Sequence, residues 1–580
     1  MLGGGTMSWS RRSLELRRRS RARSVVGLVC ALSSCSAQVL EDRPISPWVS
    51  ADEPAEPVLL TLRQIPEVVL AAPRALLAGR LAALAREIRQ LRGEVPETVD
   101  LRGAPVDFDV AGLDREIRAV VRTLERRNEV SVHVRDLVSD FVLFDLRGDA
   151  PLKPASNNKL LTAAAALDLL GETFRFETRA LLKDDTLYLV GEGDPTLDAL
   201  GLRTLVNDIS RKVDITSLQR IVVDDLAFSP RTLAPGFSDT GVGVSYQAPS
   251  GALSLEFNTV TITAKAPRNS SLIEVTVQPP STHVIVDNQS TSIRGRSNMV
   301  IRTYAGLEQD GQARTVVELT GKLRRGIDVT VRRRVSDPGL YTGGALAALL
   351  AEGTGRDPLP VTRGPAPAPV ERPTLLATRE SPPLRDIVDA TLAWSNNFLA
   401  EQLLRTLGGR LTGEPGDWDN GSEVVLAYWQ ALGENPNSLV FENGSGLSDR
   451  GRVTTTALVD LIAVAHRVHG PTGLVSTLPV AGQEGTLRAR LRRSGKRVRA
   501  KTGTMDGISG LSGVITAEDG TPQVAFSILI NVREGSTTAA HKRSKAADRI
   551  VMSVLHAVDE YEVKRAASAS KRTTVTDGAK

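Results

Sequence analysis

The sequence changes character between residues 178 and 357, and that change limits the folds open to the chain. Runs such as DTLYLVGEG (185–193), LQRIVVDD (218–225), NTVTITAKA (258–266), SLIEVTVQ (271–278), ARTVVELTG (313–321) and GIDVTVRRR (326–334) alternate or are β-branched. Gly, Pro and Asn break them, so the region reads as mostly β. On both sides the text mixes helix and strand. Upstream, LDREIRAVVRTLERR (113–127) reads as a helix, and EVSVHVRDL (129–137) and DFVLFDL (140–146) read as strands. Downstream, helical LRDIVDATLAWSNNFLAEQLLRTLG (384–408) leads on to the strand VAFSILINV (524–532) and a last helix, KAADRIVMSVLHAVDEY (545–561). Residues 358–383 are proline-dense and read as a linker returning the chain to its first domain. The expectation is one α/β domain, 110–177 and 384–563, split by a β-rich insert at 178–357. A length of 580 residues fits more than one core.

The remaining segments read differently. Seven arginines against Glu15 give residues 1–34 a net +6, so the whole-chain +5 becomes −1 without them. A near-neutral remainder gives no argument for nucleic acid. The arginines precede a short apolar run, Val25 to Leu32, and small residues, so 1–37 reads as an export signal. Leu32-Ser33-Ser34-Cys35 resembles a lipobox, which would tether the protein to membrane through a lipid on Cys35; cleavage near Ala37 is the other reading. Both cysteines, Cys30 and Cys35, lie here, leaving no internal disulfide and no thiol chemistry beyond. Residues 38–109 form an extension with an amphipathic helix at 74–92, and the polar tail 564–580 reads as disordered.

The chemistry is concentrated in PASNNKLLTAAAAL (154–167). Pro154 suits the start of a helix and Gly171 its end. Ser156 and Lys159 then lie i and i+3 on one face. A serine hydroxyl needs a base, and a lysine can serve once burial or a nearby positive charge lowers its pKa. Ser-x-x-Lys alone is weak, since Ser568 and Lys571 match it too. Two further stretches strengthen it. Ser395-Asn396-Asn397 opens a helix, and Lys501-Thr502-Gly503-Thr504 precedes a Gly-rich turn and a strand. The three motifs in this order define a serine acyl-transfer site.

With these motifs the chain resembles the low-molecular-mass penicillin-binding proteins of the D-Ala-D-Ala carboxypeptidase/endopeptidase type, which carry a large insert between the first two motifs. The segments GEGDPTL (191–197), YQAPSGALSLEFNTV (246–260), ENGSGLSDRGRV (442–453) and LPVAGQEGTLRARL (478–491) are similar to that family's as well. One departure is Asn443, where the family pattern leads us to expect aspartate. The resemblance implies an α/β (α+β) transpeptidase/β-lactamase-like domain with a central antiparallel sheet flanked by helices. It also implies an exported, periplasmic enzyme for peptidoglycan peptides, inhibited by β-lactams and needing no metal or cofactor. In the roles it implies, Ser156 is the nucleophile, Lys159 the base, Ser395 a proton relay and Asn397 a substrate-amide ligand. Lys501, Thr502, Gly503 and Thr504 form the substrate-carboxylate strand, and the backbone N–H groups of Ser156 and Thr504 form the oxyanion hole. A serine β-lactamase and a non-catalytic wall-binding scaffold share the motifs and stand as alternatives. The six histidines offer no Ser-His-Asp arrangement. His466 and His469 read as a solvated helix end, and the basic run 488–501 as a solvated hairpin turn.

Overall fold

The structure, a computed structural model, describes residues 67–93, 108–238, 241–307, 313–352 and 354–577. The segment read as an export signal, Cys35 included, lies outside these residues. The chain runs through helices α1 (Glu67–Gly93) and α2 (Val110–Arg122), strands β1 (Asn128–Asp136) and β2 (Val142–Leu146), and helix α3 (Lys159–Leu170). After the insert come helices α4 (Leu384–Trp394), α5 (Asn397–Thr412), α6 (Trp418–Ala431) and α7 (Thr455–His469). Strands β3 (Val498–Met505), β4 (Ile508–Thr516) and β5 (Pro522–Val532) and helix α8 (Ala540–Asp577) close the chain.

The first and last strands share one five-stranded antiparallel sheet in the order β3-β4-β5-β1-β2. Val130 pairs with Ile530, so residues 400 apart in sequence are joined in one ladder. All nine residues of β4 are buried, because both faces of the sheet are covered. On one face Leu511, Ile515 and Phe526 pack with Ile117 of α2 and Ile550 and Val554 of α8. On the other, Val514, Ala525 and Leu529 join a helical core with Leu160 and Leu161 of α3, Leu403 of α5 and Leu458 of α7. Leu84 and Ile88 of α1 belong to that second core, so this helix packs on the catalytic half.

The insert has its own core, with Leu187, Ile221, Val260, Ile262 and Tyr341 among its fully buried residues. The six alternating runs named above all form strands. Two helices that the strand pattern did not single out, Ala199–Ser210 and Pro338–Ala351, lie among them in this mostly β region. The second is buried nearly all round, so it has no amphipathic period to betray it. The supposed linker 358–383 also differs from its reading. Val361–Arg363 and Thr374–Glu380 are the two edge strands of the insert's five-stranded sheet. Proline has no N–H to give a ladder, so a proline-dense stretch joins a sheet most readily at its edges, and the prolines here all fall outside the two strands. The tail also departs from expectation. Its Ala, Lys and Arg residues favour helix, and α8 continues to Asp577.

Candidate active site

Residues Ala155–Asn158 form a 3₁₀ turn that runs directly into α3. Three residues per turn stack i over i+3. Lys159 Nζ therefore donates to Ser156 Oγ at 3.0 Å. Glycines let the sheet close on this turn: a Cβ at Gly510 would lie 2.0 Å from Asn157 Nδ2, and one at Gly503 2.8 Å from the Pro154 carbonyl. Gly503 thus serves the docking of β3 rather than the cleft surface. Strand alternation gives the cleft Thr502 and Thr504, the neighbours of Gly503.

The second motif sits between two helices. Ser395 takes a left-handed φ of 57° after α4, and Asn396 caps α5 by accepting from Leu399 N at 3.2 Å. That corner delivers Asn397 Oδ1 to Lys159 Nζ at 2.8 Å, while Asn397 Nδ2 donates to the Tyr246 carbonyl of the insert at 2.9 Å. A third wall is the turn at 443–446. The Ser445 carbonyl accepts from Lys159 Nζ at 2.8 Å, and Gly446, at φ +75°, is so close to the Ser156 turn that a Cβ would sit 2.1 Å from Ala155 O. Asn443 explains its own departure from the family pattern. Its Nδ2 donates to Pro235 O at 2.7 Å and Leu447 O at 3.1 Å, which an aspartate could not do, while its Oδ1 accepts from Gly446 N at 2.8 Å.

These walls enclose an open cleft of about 670 Å³ that exposes Ser156, Ser395, Asn397, Thr502 and Thr504 together. Lys159 and Lys501 lie beneath its surface, both fully buried. Burial pulls the Lys159 ammonium down from 10.5 to about 7, opposed by the Glu401 carboxylate. Lys501 is pushed far below its ordinary value, first by burial and then by repulsion from Lys159. Its Nζ donates to Thr502 O at 2.7 Å.

The cleft also includes residues that the sequence reading did not single out. Tyr246, Leu447, Thr486 and Arg490 line it, each inside a segment whose resemblance was noted but whose individual positions were not. Thr486 Oγ1 lies 2.7 Å from Thr502 Oγ1, and Arg490 is paired with Asp548 at 2.6 Å. The basic run 488–501 is therefore only partly solvated. Arg490 and Arg497 are tied to carboxylates of α8, whereas Arg492, Arg493 and Lys496 are exposed. His469 Nε2 is bonded to Asp168 Oδ1 at 2.8 Å, and no cluster of metal-ligating side chains occurs among the described residues. Glu401, one turn along α5 from Asn397, had no sequence cue. Its buried carboxylate accepts from Gly444 N, Ser445 N and Trp418 Nε1, each at 2.9 Å.

A serine at hydrogen-bond distance from a buried lysine whose pKa burial lowers to about 7, under a cleft with further hydroxyl and amide groups, defines an acyl-transfer hydrolase. The chain belongs to the D-Ala-D-Ala carboxypeptidase 3 (S13) family, whose profile matches residues 113–554. It is thus a serine peptidase of the penicillin-binding carboxypeptidase class. It is 30% identical over 477 residues to the D-alanyl-D-alanine carboxypeptidase of Actinomadura sp. (strain R39), covering 78% of this chain and 86% of that protein. It is 26% identical over 495 residues to the carboxypeptidase DacB of Mycolicibacterium smegmatis, covering 81% of this chain and 91% of that one. Its fold is that of the crystal structure of penicillin binding protein 4 (dacB) from Haemophilus influenzae, with TM-score 0.62 and 22% identity over 76% of this chain and 99% of that chain. A second structure of that protein, complexed with a β-lactam, matches with TM-score 0.59 and 20% identity.

Proposed function

We propose that Ser156 is the nucleophile and Lys159 its general base in the hydrolysis of peptidoglycan peptides ending in D-Ala-D-Ala. The observation that carries this is the 3.0 Å contact between Lys159 Nζ and Ser156 Oγ, made by an amine with a pKa of about 7. A base near neutrality is both unprotonated enough to accept a proton and basic enough to pull it. Ser156 Oγ attacks the carbonyl carbon of the penultimate D-alanine as its proton passes to Lys159. The tetrahedral intermediate collapses with the leaving amine taking a proton, relayed by Ser395. Water then hydrolyses the acyl-enzyme. The Ser156 and Thr504 backbone N–H groups stabilise the oxyanion, a contribution of about 3–4 kcal/mol per donor in comparable sites. Asn397 binds the substrate amide, and Lys501 with Thr502 and Thr504 binds the terminal carboxylate. A β-lactam acylates the same oxygen.

Carboxypeptidase action and endopeptidase cleavage of cross-links use this one site and differ only in the leaving amine. The arginine-rich and apolar segment 1–37 supports export to the periplasm, with either a lipid on Cys35 or cleavage near Ala37. No helix among the described residues is long and apolar enough to cross a membrane. The test is incubation with a fluorescent penicillin, native against Ser156→Ala, followed by a muropeptide digest. The native protein should label and release D-alanine or open cross-links, and the variant should do neither. Labelling of Ser156→Ala would overturn the nucleophile assignment.

A further inference from the structure

We infer that Glu401 is a positioning residue for the base, setting the Gly444–Ser445 turn that holds Lys159 and supplying the negative charge that counters the burial of its amine. This inference rests on the reading of Lys159 as the base. The geometry is a relay of three links. The Glu401 carboxylate is almost fully buried and accepts the amide N–H groups of two consecutive residues, Gly444 and Ser445, at 2.9 Å each. Consecutive amides held by one carboxylate leave the turn little freedom. The carbonyl of the same Ser445 is one of three acceptors around Lys159 Nζ, beside Ser156 Oγ and Asn397 Oδ1. Trp418 Nε1 supplies the third donor to the carboxylate and fixes it from α6.

Such an arrangement exceeds what packing requires. A buried carboxylate is costly unless it is paired or fully hydrogen-bonded, and an apolar side chain could fill the same volume. Glu401 from α5 is the charge that acts on Lys159, and Lys159 in turn repels Lys501 of β3. Arg405, one turn further along α5, interacts in turn with Glu401. Without Glu401 the lysine pair would face repulsion and burial alone, and its amine would become a weaker base.

Glu401→Gln tests this, because it removes the charge and sets a donor against one of the two amides. The second-order rate of acylation by fluorescent penicillin is measured from pH 5 to 9, with thermal melting to confirm folding. The native rate should rise with pH as Lys159 loses its proton. In Glu401→Gln the acid limb should move to lower pH by roughly half a unit to one unit, and the plateau should fall about tenfold or more. Glu401→Asp keeps the charge but withdraws it from the turn. Its limb should return towards the native position, with the plateau still several-fold low. A purely structural role would lower the rate without moving the limb. An unmoved or upward-moved limb in Glu401→Gln, or a plateau within twofold of native in either variant, overturns the inference. Should Glu401→Gln not fold, the plateau of Glu401→Asp decides. Failure of the underlying reading looks different: the native protein itself would not label, or Ser156→Ala would.

Discussion

Lys159 and Lys501 are the same residue type, both fully buried beneath one cleft, and both depressed chiefly by burial. Their partners separate them. Lys159 Nζ has three acceptors from three parts of the chain, at 3.0, 2.8 and 2.8 Å. Lys501 Nζ has the carbonyl of its own neighbour, Thr502, at 2.7 Å. Burial makes a lysine available as a neutral amine, but its neighbours decide what the amine can do. An amine fixed on three sides, with a serine hydroxyl as one of them, is oriented to take that hydroxyl's proton. An amine tied only to its own strand keeps donors for an arriving anion, and a bound carboxylate would raise its pKa and return it to the ammonium form.

The sharpest break in this comparison is Lys159→Met, which keeps the volume and removes the amine. Acylation by fluorescent penicillin should slow by roughly 10³-fold or more while the protein stays folded. Acylation within tenfold of native would take the base role from Lys159. Lys501→Met should do less, lowering kcat/KM for D-Ala-D-Ala peptides by about 10- to 100-fold, the worth of one charged hydrogen bond. Its signature is selectivity. The native enzyme should prefer a peptide ending in carboxylate over its carboxamide, and the variant should lose that preference. A variant that keeps the preference would place carboxylate recognition elsewhere.

The two lysines also show how far sequence carries. Spacing was enough to put Ser156 beside Lys159, because i and i+3 meet in any tight helical turn. It was enough to make Thr502 and Thr504 share a face, because strands alternate. The partners that distinguish the lysines were not legible. Ser445 reaches Lys159 through its backbone carbonyl, which no side-chain pattern encodes, and Glu401 lies in a helix where a glutamate ordinarily faces solvent. In the fold, the six alternating runs all proved to be strands, but others such as Glu177–Lys183 and Val300–Leu307 fall outside those runs, and alternation failed where burial is uniform, at Pro338–Ala351, or where proline hides an edge strand, at Thr374–Glu380. Tyr246 enters the cleft from the insert, a contact set by how the insert's chain folds back rather than by any local motif.

The smallest effect expected is on stability, and it asks whether the Lys159 amine is neutral in the fold. In the unfolded chain that amine keeps its ordinary value of 10.5, and in the folded protein it titrates at about 7. Between those values the unfolded state holds more protons, so raising the pH favours the folded state. The contribution is fully present above 10.5 and is lost as the pH falls through 7. Lys159→Met has no such group. Its Lys501, freed from the repulsion of a neighbouring lysine, should also be less depressed, which flattens the variant's own pH dependence. Both changes have the same sign. Guanidinium unfolding should therefore show native stability gaining on that of Lys159→Met by about 2 kcal/mol between pH 7 and pH 9. A difference that stays flat or shrinks over that range would mean that Lys159 keeps its proton when folded, and the contrast with Lys501 would then rest on geometry alone.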